Sequence, residues 1–242
     1  MNIGVIFAGG VGSRMHSKDK PKQFLKLYNK PIILHTLEPF ELNNEIDAVV
    51  IACVEDWIPY LEKLIYKFRI EKVKKIVHGG PTVQLSIYEG LKAAKKIAGD
   101  EPSIVLIHDG VRPLINTRLL SDNIDSVKKY GSAITAGVVK ETIVVVDEDL
   151  NIEQVPSRKH SRMAKAPQSF WLDEILAVHE KALEDGERNT IDSCTLMKQY
   201  GKKLHMIDGP YENIKITTPD DFYTMRAILE AKENSQIYGY DD

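Results

Sequence analysis

Cysteine is nearly missing: Cys53 and Cys194 are the only two in 242 residues, and no Cys/His spacing suits a metal. Such a chain has no disulfide framework, which points to a reducing compartment and to thiols buried for packing. A basic excess is missing too, since 32 Lys and Arg against 35 Asp and Glu leave a net charge of −3. That excludes a protein that coats nucleic acid, so any anion it binds must meet a local cluster of cations. Long apolar runs are also lacking. The run from Ile3 to Ala8 has no basic flank and is too short for a signal peptide or a membrane span. A cytosolic, membrane-free protein is expected. Neither a repeat nor a low-complexity tract interrupts it.

What is present is ordinary globular composition, 43% hydrophobic and 28% charged, at a length that suits one α/β domain spanning residues 1–242. Apolar, β-branched runs recur at Ile3–Ala8, Ala48–Cys53, Val73–Val77 and Ser103–Ile107, each followed by a segment of helical period. This is the rhythm of a parallel sheet. Between Thr82 and Ile97 the spacing of Val83, Ile87, Leu91 and Ala94 predicts an amphipathic helix with lysines opposite. After a strand at Ser132–Val138, residues 140–165 alternate and then turn polar and basic, which predicts an antiparallel excursion. Helices are expected near Leu172–Glu184 and Asp192–Tyr200, then a last strand ending in Asn213-Ile-Lys-Ile-Thr217. Thr218 would cap the final helix, with Pro219 at its first position and Asp220 and Asp221 in its first turn.

The strongest chemical signal follows the first strand: Phe7-Ala-Gly-Gly-Val-Gly-Ser-Arg-Met15. Glycines there let backbone N–H groups close on a ligand and cradle phosphate oxygens. It is not a P-loop, because no Gly-Lys-Ser/Thr follows. It is not a dinucleotide fingerprint either, because Met15 stands where a third glycine belongs, and this speaks against a nicotinamide oxidoreductase. Arg14 and Lys22, eight residues apart, put two cations beside the cradle. The alternative is a glycine-rich turn with no ligand.

Ala-Gly-Gly-x-Gly-Ser-Arg-Met followed by Pro-Lys-Gln-Phe resembles the signature of the cytidylyltransferases that act on methylerythritol phosphate and ribitol phosphate. Further matches are Gly79-Gly80 with Ser86, His108-Asp-Gly-Val-Arg-Pro113, Lys140-Glu-Thr142, Ala166-Pro-Gln-Ser-Phe170 and Asn213-Ile-Lys-Ile-Thr217, so the resemblance runs along nearly the whole chain. It implies a doubly wound, mostly parallel, Rossmann-like sheet with a protruding β-arm, residues 139–165, that reaches into a partner subunit of a homodimer. It also implies attack by a polyol phosphate on the α-phosphorus of CTP, with Mg²⁺. That chemistry needs fixed cations around the phosphorus and little else.

Under this resemblance Arg14, Lys22 and Lys215 are the expected catalytic cations, with Lys215 at a strand's C-terminal end. Ala8, Gly9, Gly10, Gly12, Ser13, Gly80, Ser86 and Asp109 would hold the nucleotide, and Asp109 the metal. Arg112, with Thr142 and Arg158 from the partner's arm, would meet the acceptor phosphate, Arg158 lying nine residues before Pro167. Glu212, where relatives carry Asp, is a second candidate on the metal side. Val83 stands where relatives carry arginine. His108 is expected to pack rather than to move protons, since an ionised phosphate needs no base. The favoured acceptor is an alditol phosphate such as ribitol 5-phosphate, for surface polysaccharide precursors. Methylerythritol 4-phosphate and glycerol phosphate are the alternatives, and a non-catalytic nucleotide-binding module is the alternative of another class.

Overall fold

The structure, a computed structural model, describes residues 1–9 and 20–238. Strands β1 (Asn2–Ala8), β2 (Lys26–Leu27), β3 (Lys30–Pro31), β4 (Ala48–Cys53), β5 (Val73–His78), β6 (Ile104–Asp109), β7 (Ser132–Val138), β8 (Val145–Val146), β9 (Ile152–Gln154), β10 (Arg162–Trp171) and β11 (Met206–Asp208) are joined, among the described residues, by seven α-helices. These are α1 (Ile32–Leu42), α2 (Ile58–Phe68), α3 (Val83–Ala98), α4 (Thr117–Tyr130), α5 (Leu172–Glu184), α6 (Ser193–Gln199) and α7 (Pro219–Tyr238). Seven strands form the main sheet in the order β11-β7-β10-β6-β1-β4-β5. Every pairing is parallel except those of β10, which runs against both β6 and β7.

Why the sheet is wound on both sides follows from its period of two. In β1 and β4, Ile6, Val49 and Ile51 face one way, into a core shared with α1, α2 and α4. Their neighbours Ile3, Val5 and Val50 face the other, into a core shared with α3, α5 and α6. A strand buried on both faces reads as a continuous apolar run, and β1, β4 and β6 do. A third cluster (Leu27, Ile32, Val111, Leu114, Ile216, Met225) packs α7 and the segment before it.

The predicted helix at 82–97 is α3, capped by Thr82, whose Oγ1 accepts from the Leu85 N–H at 3.2 Å. Ile87, Leu91 and Ala94 are buried as the spacing predicts, but Val83 is 42% exposed because it stands on the rim of a cleft. At α7, Thr218 Oγ1 accepts from the Asp221 N–H, and the Asp221 carboxylate accepts from the Thr217 and Thr218 N–H groups at 2.8 and 2.7 Å. The two residues form a reciprocal capping box.

One expected element is absent. Asn213–Thr217 is not a strand; it is an extended loop tied by Ile216 N–H to the Val111 carbonyl at 2.8 Å, and the late strand is β11. Lys215 therefore sits in a loop, not at a strand end. Its alternating apolar residues serve the third core cluster instead of a sheet.

The excursion is antiparallel as expected. β8 and β9 form a small hairpin, turned by Asp147, whose Oδ1 accepts from the Asp149 and Asn151 N–H groups. Residues 162–165, the end of the expected arm, already belong to β10. Along the hairpin Val144, Val145, Val146, Leu150, Ile152 and Val155 are all exposed.

Candidate active site

The chain reverses its winding where β1 lies between β6 and β4, and open α/β sheets bind ligands at the carboxyl ends of strands beside such a point. Two adjoining cavities lie there. One, of about 230 Å³, is lined by Ala8, Gly9, Lys22, Gly80 and Ser86 among others. The other, of about 200 Å³, is lined by Arg112, Lys165, Gln168, Asp192 and Ser193 among others. Phe7, Val83, Asp109 and Lys215 belong to both.

Asp109 ends β6 and is 4% exposed. Its Oδ1 lies 2.6 Å from Lys215 Nζ, and its Oδ2 accepts from Arg112 Nε at 3.1 Å. Burial by itself would raise its pKa, but the charges of Arg112 and Lys215 outweigh that and hold it down at about 2. Arg112 is committed on its other side as well, donating through Nη1 to the Asn213 carbonyl at 3.0 Å. Asn213 in turn donates to the Ala166 carbonyl at 2.7 Å, which locks the Lys215 loop against β10.

The first cavity is walled by close backbone. A Cβ on Gly80 would stand 2.4 Å from the Leu85 Cβ and 2.9 Å from the Leu85 carbonyl carbon, so only glycine lets this loop rest on the first turn of α3. Ser86 Oγ donates within that turn, to the Gly80 and Thr82 carbonyls at 3.0 and 2.9 Å. Lys22 starts a 3-10 turn through Phe24, and the next residue, Gln23, is buried and donates to the Ala8 carbonyl at 2.7 Å. That bond pins the Lys22 turn to the end of β1.

The model of the family "2-C-methyl-D-erythritol 4-phosphate cytidylyltransferase", IspD, matches residues 3–231. The chain belongs to the IspD family. A ribitol-5-phosphate cytidylyltransferase of Streptococcus agalactiae serotype V is 54% identical over 239 residues, covering 99% of each chain. A 2-C-methyl-D-erythritol 4-phosphate cytidylyltransferase of Clostridium acetobutylicum is 38% identical over 236 residues, covering 97% of this chain and 99% of that one. The crystal structure of 4-diphosphocytidyl-2C-methyl-D-erythritol synthase from Anaerococcus prevotii superposes with a TM-score of 0.81 at 29% identity, covering 95% of this chain and 96% of that one. The doubly wound Rossmann-like sheet is thus the IspD fold, and the chain is a CTP-dependent nucleotidyltransferase.

Within this IspD-family site Lys22, Ala8, Gly9, Gly80, Ser86, Asp109, Arg112 and Lys215 are brought together. Gly10, Gly12, Ser13 and Arg14 lie outside the described residues. Thr142 and Arg158 line neither cavity of their own chain; both are exposed, and Arg158 donates to the Lys140 carbonyl at 3.2 Å. Among the described residues no group of three His, Cys, Asp or Glu could enclose a metal, and the Glu212 charge is felt at Lys165.

His108 is fully buried. Its Nε2 lies 2.9 Å from the Arg112 carbonyl, so that nitrogen carries the proton, and burial pushes the pKa down to about 4. It is neutral and braces the Arg112 turn.

Sequence reasoning passed over Gln23, Lys165, Gln168 and Asp192. Gln168 Nε2 donates to Asp192 at 3.0 Å and its Oε1 accepts from the Cys194 N–H at 2.8 Å, which fixes one wall of the second cavity. Gln23 and Gln168 stood inside quoted motifs, so their signal was present. Lys165, one residue before its motif, had none.

Proposed function

We propose that the protein transfers the cytidylyl group of CTP to ribitol 5-phosphate, giving CDP-ribitol and pyrophosphate. The observation that carries this reading is the Asp109–Lys215 pair on the wall common to the two cavities. A phosphate oxygen of the acceptor forms a bond to the α-phosphorus while the bond to the pyrophosphate oxygen breaks, and the two electrons leave with pyrophosphate. Both reactants are anions, so the barrier falls chiefly through cations fixed around the phosphorus. Lys215 serves there, and Lys22 and Arg14 take the triphosphate and the departing pyrophosphate. No general base is required, in keeping with a neutral His108.

Magnesium bound through a triphosphate needs only one or two protein carboxylates. Asp109 is one such oxygen donor in the right cleft, and would hold the ion by exchanging Lys215 for it. The ion would neutralise triphosphate charge.

The second cavity takes the acceptor, and Gln168, Asp192 and Ser193 suit an alditol's row of hydroxyls. Thr142 and Arg158 serve the neighbouring subunit of a cytoplasmic homodimer. What supports the dimer is the exposed apolar strip from Val144 to Val155, since a contiguous exposed apolar patch marks an interaction surface. For the acceptor, support comes from the 54% identity to a ribitol-5-phosphate enzyme against 38% to a methylerythritol one.

Pyrophosphate release with CTP is the test, run with ribitol 5-phosphate, methylerythritol 4-phosphate and glycerol phosphates. A kcat/KM for ribitol 5-phosphate at least about tenfold above the others, roughly 1.4 kcal/mol, is expected. Equal or reversed efficiencies would replace the acceptor; no release with any would remove the reaction.

A further inference from the structure

Three cations border the second cavity, Arg112, Lys165 and Lys215, and they are not equivalent. Arg112 and Lys215 both contact the Asp109 carboxylate, and Arg112 also holds the Asn213 carbonyl. Lys165 has no carboxylate within ion-pair distance among the described residues, and its ammonium makes one hydrogen bond, to the Tyr211 carbonyl at 3.3 Å. Among the described residues it is the cation of this cavity that no carboxylate contacts.

Lys165 is nonetheless held in place. Its stem lies across Gly137, where a Cβ would come within 2.9 Å of the lysine Cε and 3.3 Å of Nζ. The ring of Tyr211 lies 5.9 Å from Nζ on one side and takes Lys140 at 3.5 Å from its centroid. Burial and the Arg112 charge lower the Lys165 pKa, with Glu212 opposing, so a charged Lys165 is held at a cost that a bound anion would remove. A lysine fixed over glycine, beside a buried arginine and short of an anion, is an anion site in waiting.

We propose that Lys165 binds the phosphate of the acceptor from within the same subunit, so that this side chain, and not Arg112, is the principal cis cation for the second substrate. The assignment rests on the acceptor reading of the second cavity given above. It makes Arg112 a positioning residue that aims Asp109, and leaves Lys215 to face the reacting phosphorus. Gly137 then acts on substrate affinity without touching substrate, because it sets where the lysine lies.

Initial rates with ribitol 5-phosphate at saturating CTP test this in the full chain. Lys165→Met should raise KM for ribitol 5-phosphate roughly 10- to 100-fold, the range for a lost charged hydrogen bond, with KM for CTP within about threefold of the parent. Lys165→Arg should recover most of the loss. Gly137→Ala should raise the same KM by a smaller factor, since it moves the lysine and keeps its charge. An unchanged acceptor KM in Lys165→Met, or equal rises in both KM values, would overturn the assignment. Calorimetric titration with inorganic phosphate separates this from the reaction itself. Phosphate binding that Lys165→Met abolishes, in a parent that releases no pyrophosphate, would keep the site and remove the polyol reaction; equal phosphate affinities would remove the site.

Discussion

Replacing Asp109 by asparagine removes one charge and almost no volume from the wall between the cavities. In the folded protein the carboxyl titrates at about 2, against an ordinary value of 3.8, although burial pushes the other way. That difference of nearly two pH units is worth about 2 kcal/mol of stability when the group is ionised. Since the folded value is the lower one, the contribution is complete well above pH 4 and drains away as pH falls towards 2. About 1 kcal/mol of it should already be gone between pH 5 and pH 3. Asp109→Asn has nothing to titrate there. It should be less stable than the parent by about 3 kcal/mol at pH 7, near the low end for a broken buried pair, because Lys215 is 42% exposed and can return to water while Arg112 cannot. Urea unfolding followed by circular dichroism at pH 7, 5 and 3 measures both quantities. The gap between parent and variant should narrow by about 1 kcal/mol from pH 5 to pH 3. Parallel stabilities across that range would refute the placement of Asp109 between two charged partners.

Lys215→Met and Arg14→Met should each lower kcat by about two to four orders of magnitude in steady-state pyrophosphate release, as the loss of one transition-state cation requires. An inactive Arg158→Ala chain mixed with an inactive Lys215→Met chain should recover activity, because half the mixed dimers' sites would have both residues; subunit exchange checked by mass spectrometry without recovery would exclude a shared site. His108→Gln should leave the shape of the kcat profile unchanged from pH 6 to 9, since a histidine titrating at about 4 is neutral throughout.

Most of the sheet could be read from the sequence because its central strands are buried on both faces and so are spelled as unbroken apolar runs, as in Ala48–Cys53. The helix Val83–Ala98 could be read because its period and its Thr82 cap agree, and Leu172–Glu184 by its period alone. Asn213–Thr217 misled because alternating Ile214 and Ile216 looks the same whether the apolar side faces a sheet or, as here, a local cluster against α7. In the site, Lys22, Asp109 and Lys215 lay in recognisable strings, and their types matched the chemistry. What no string encodes is which cation is already paired. Arg112 and Lys165 are both plain cations in the sequence, and the ion pair to Asp109, which Arg112 makes, is what separates them.

The sheet is open at both ends, and the two ends are treated differently. β11 closes one side with only three residues, a ladder too short to template another. β5, at the other side, is six residues long and would offer a ready seam to a second molecule, but its centre carries Lys74 and Lys75, both exposed. Charge repulsion between like edges makes such stacking unfavourable, and Lys74 and Lys75 line neither of the two site cavities. Lys74→Val with Lys75→Val should leave turnover intact and raise light scattering on concentration or mild heating, a failure of colloidal behaviour in a fully competent enzyme.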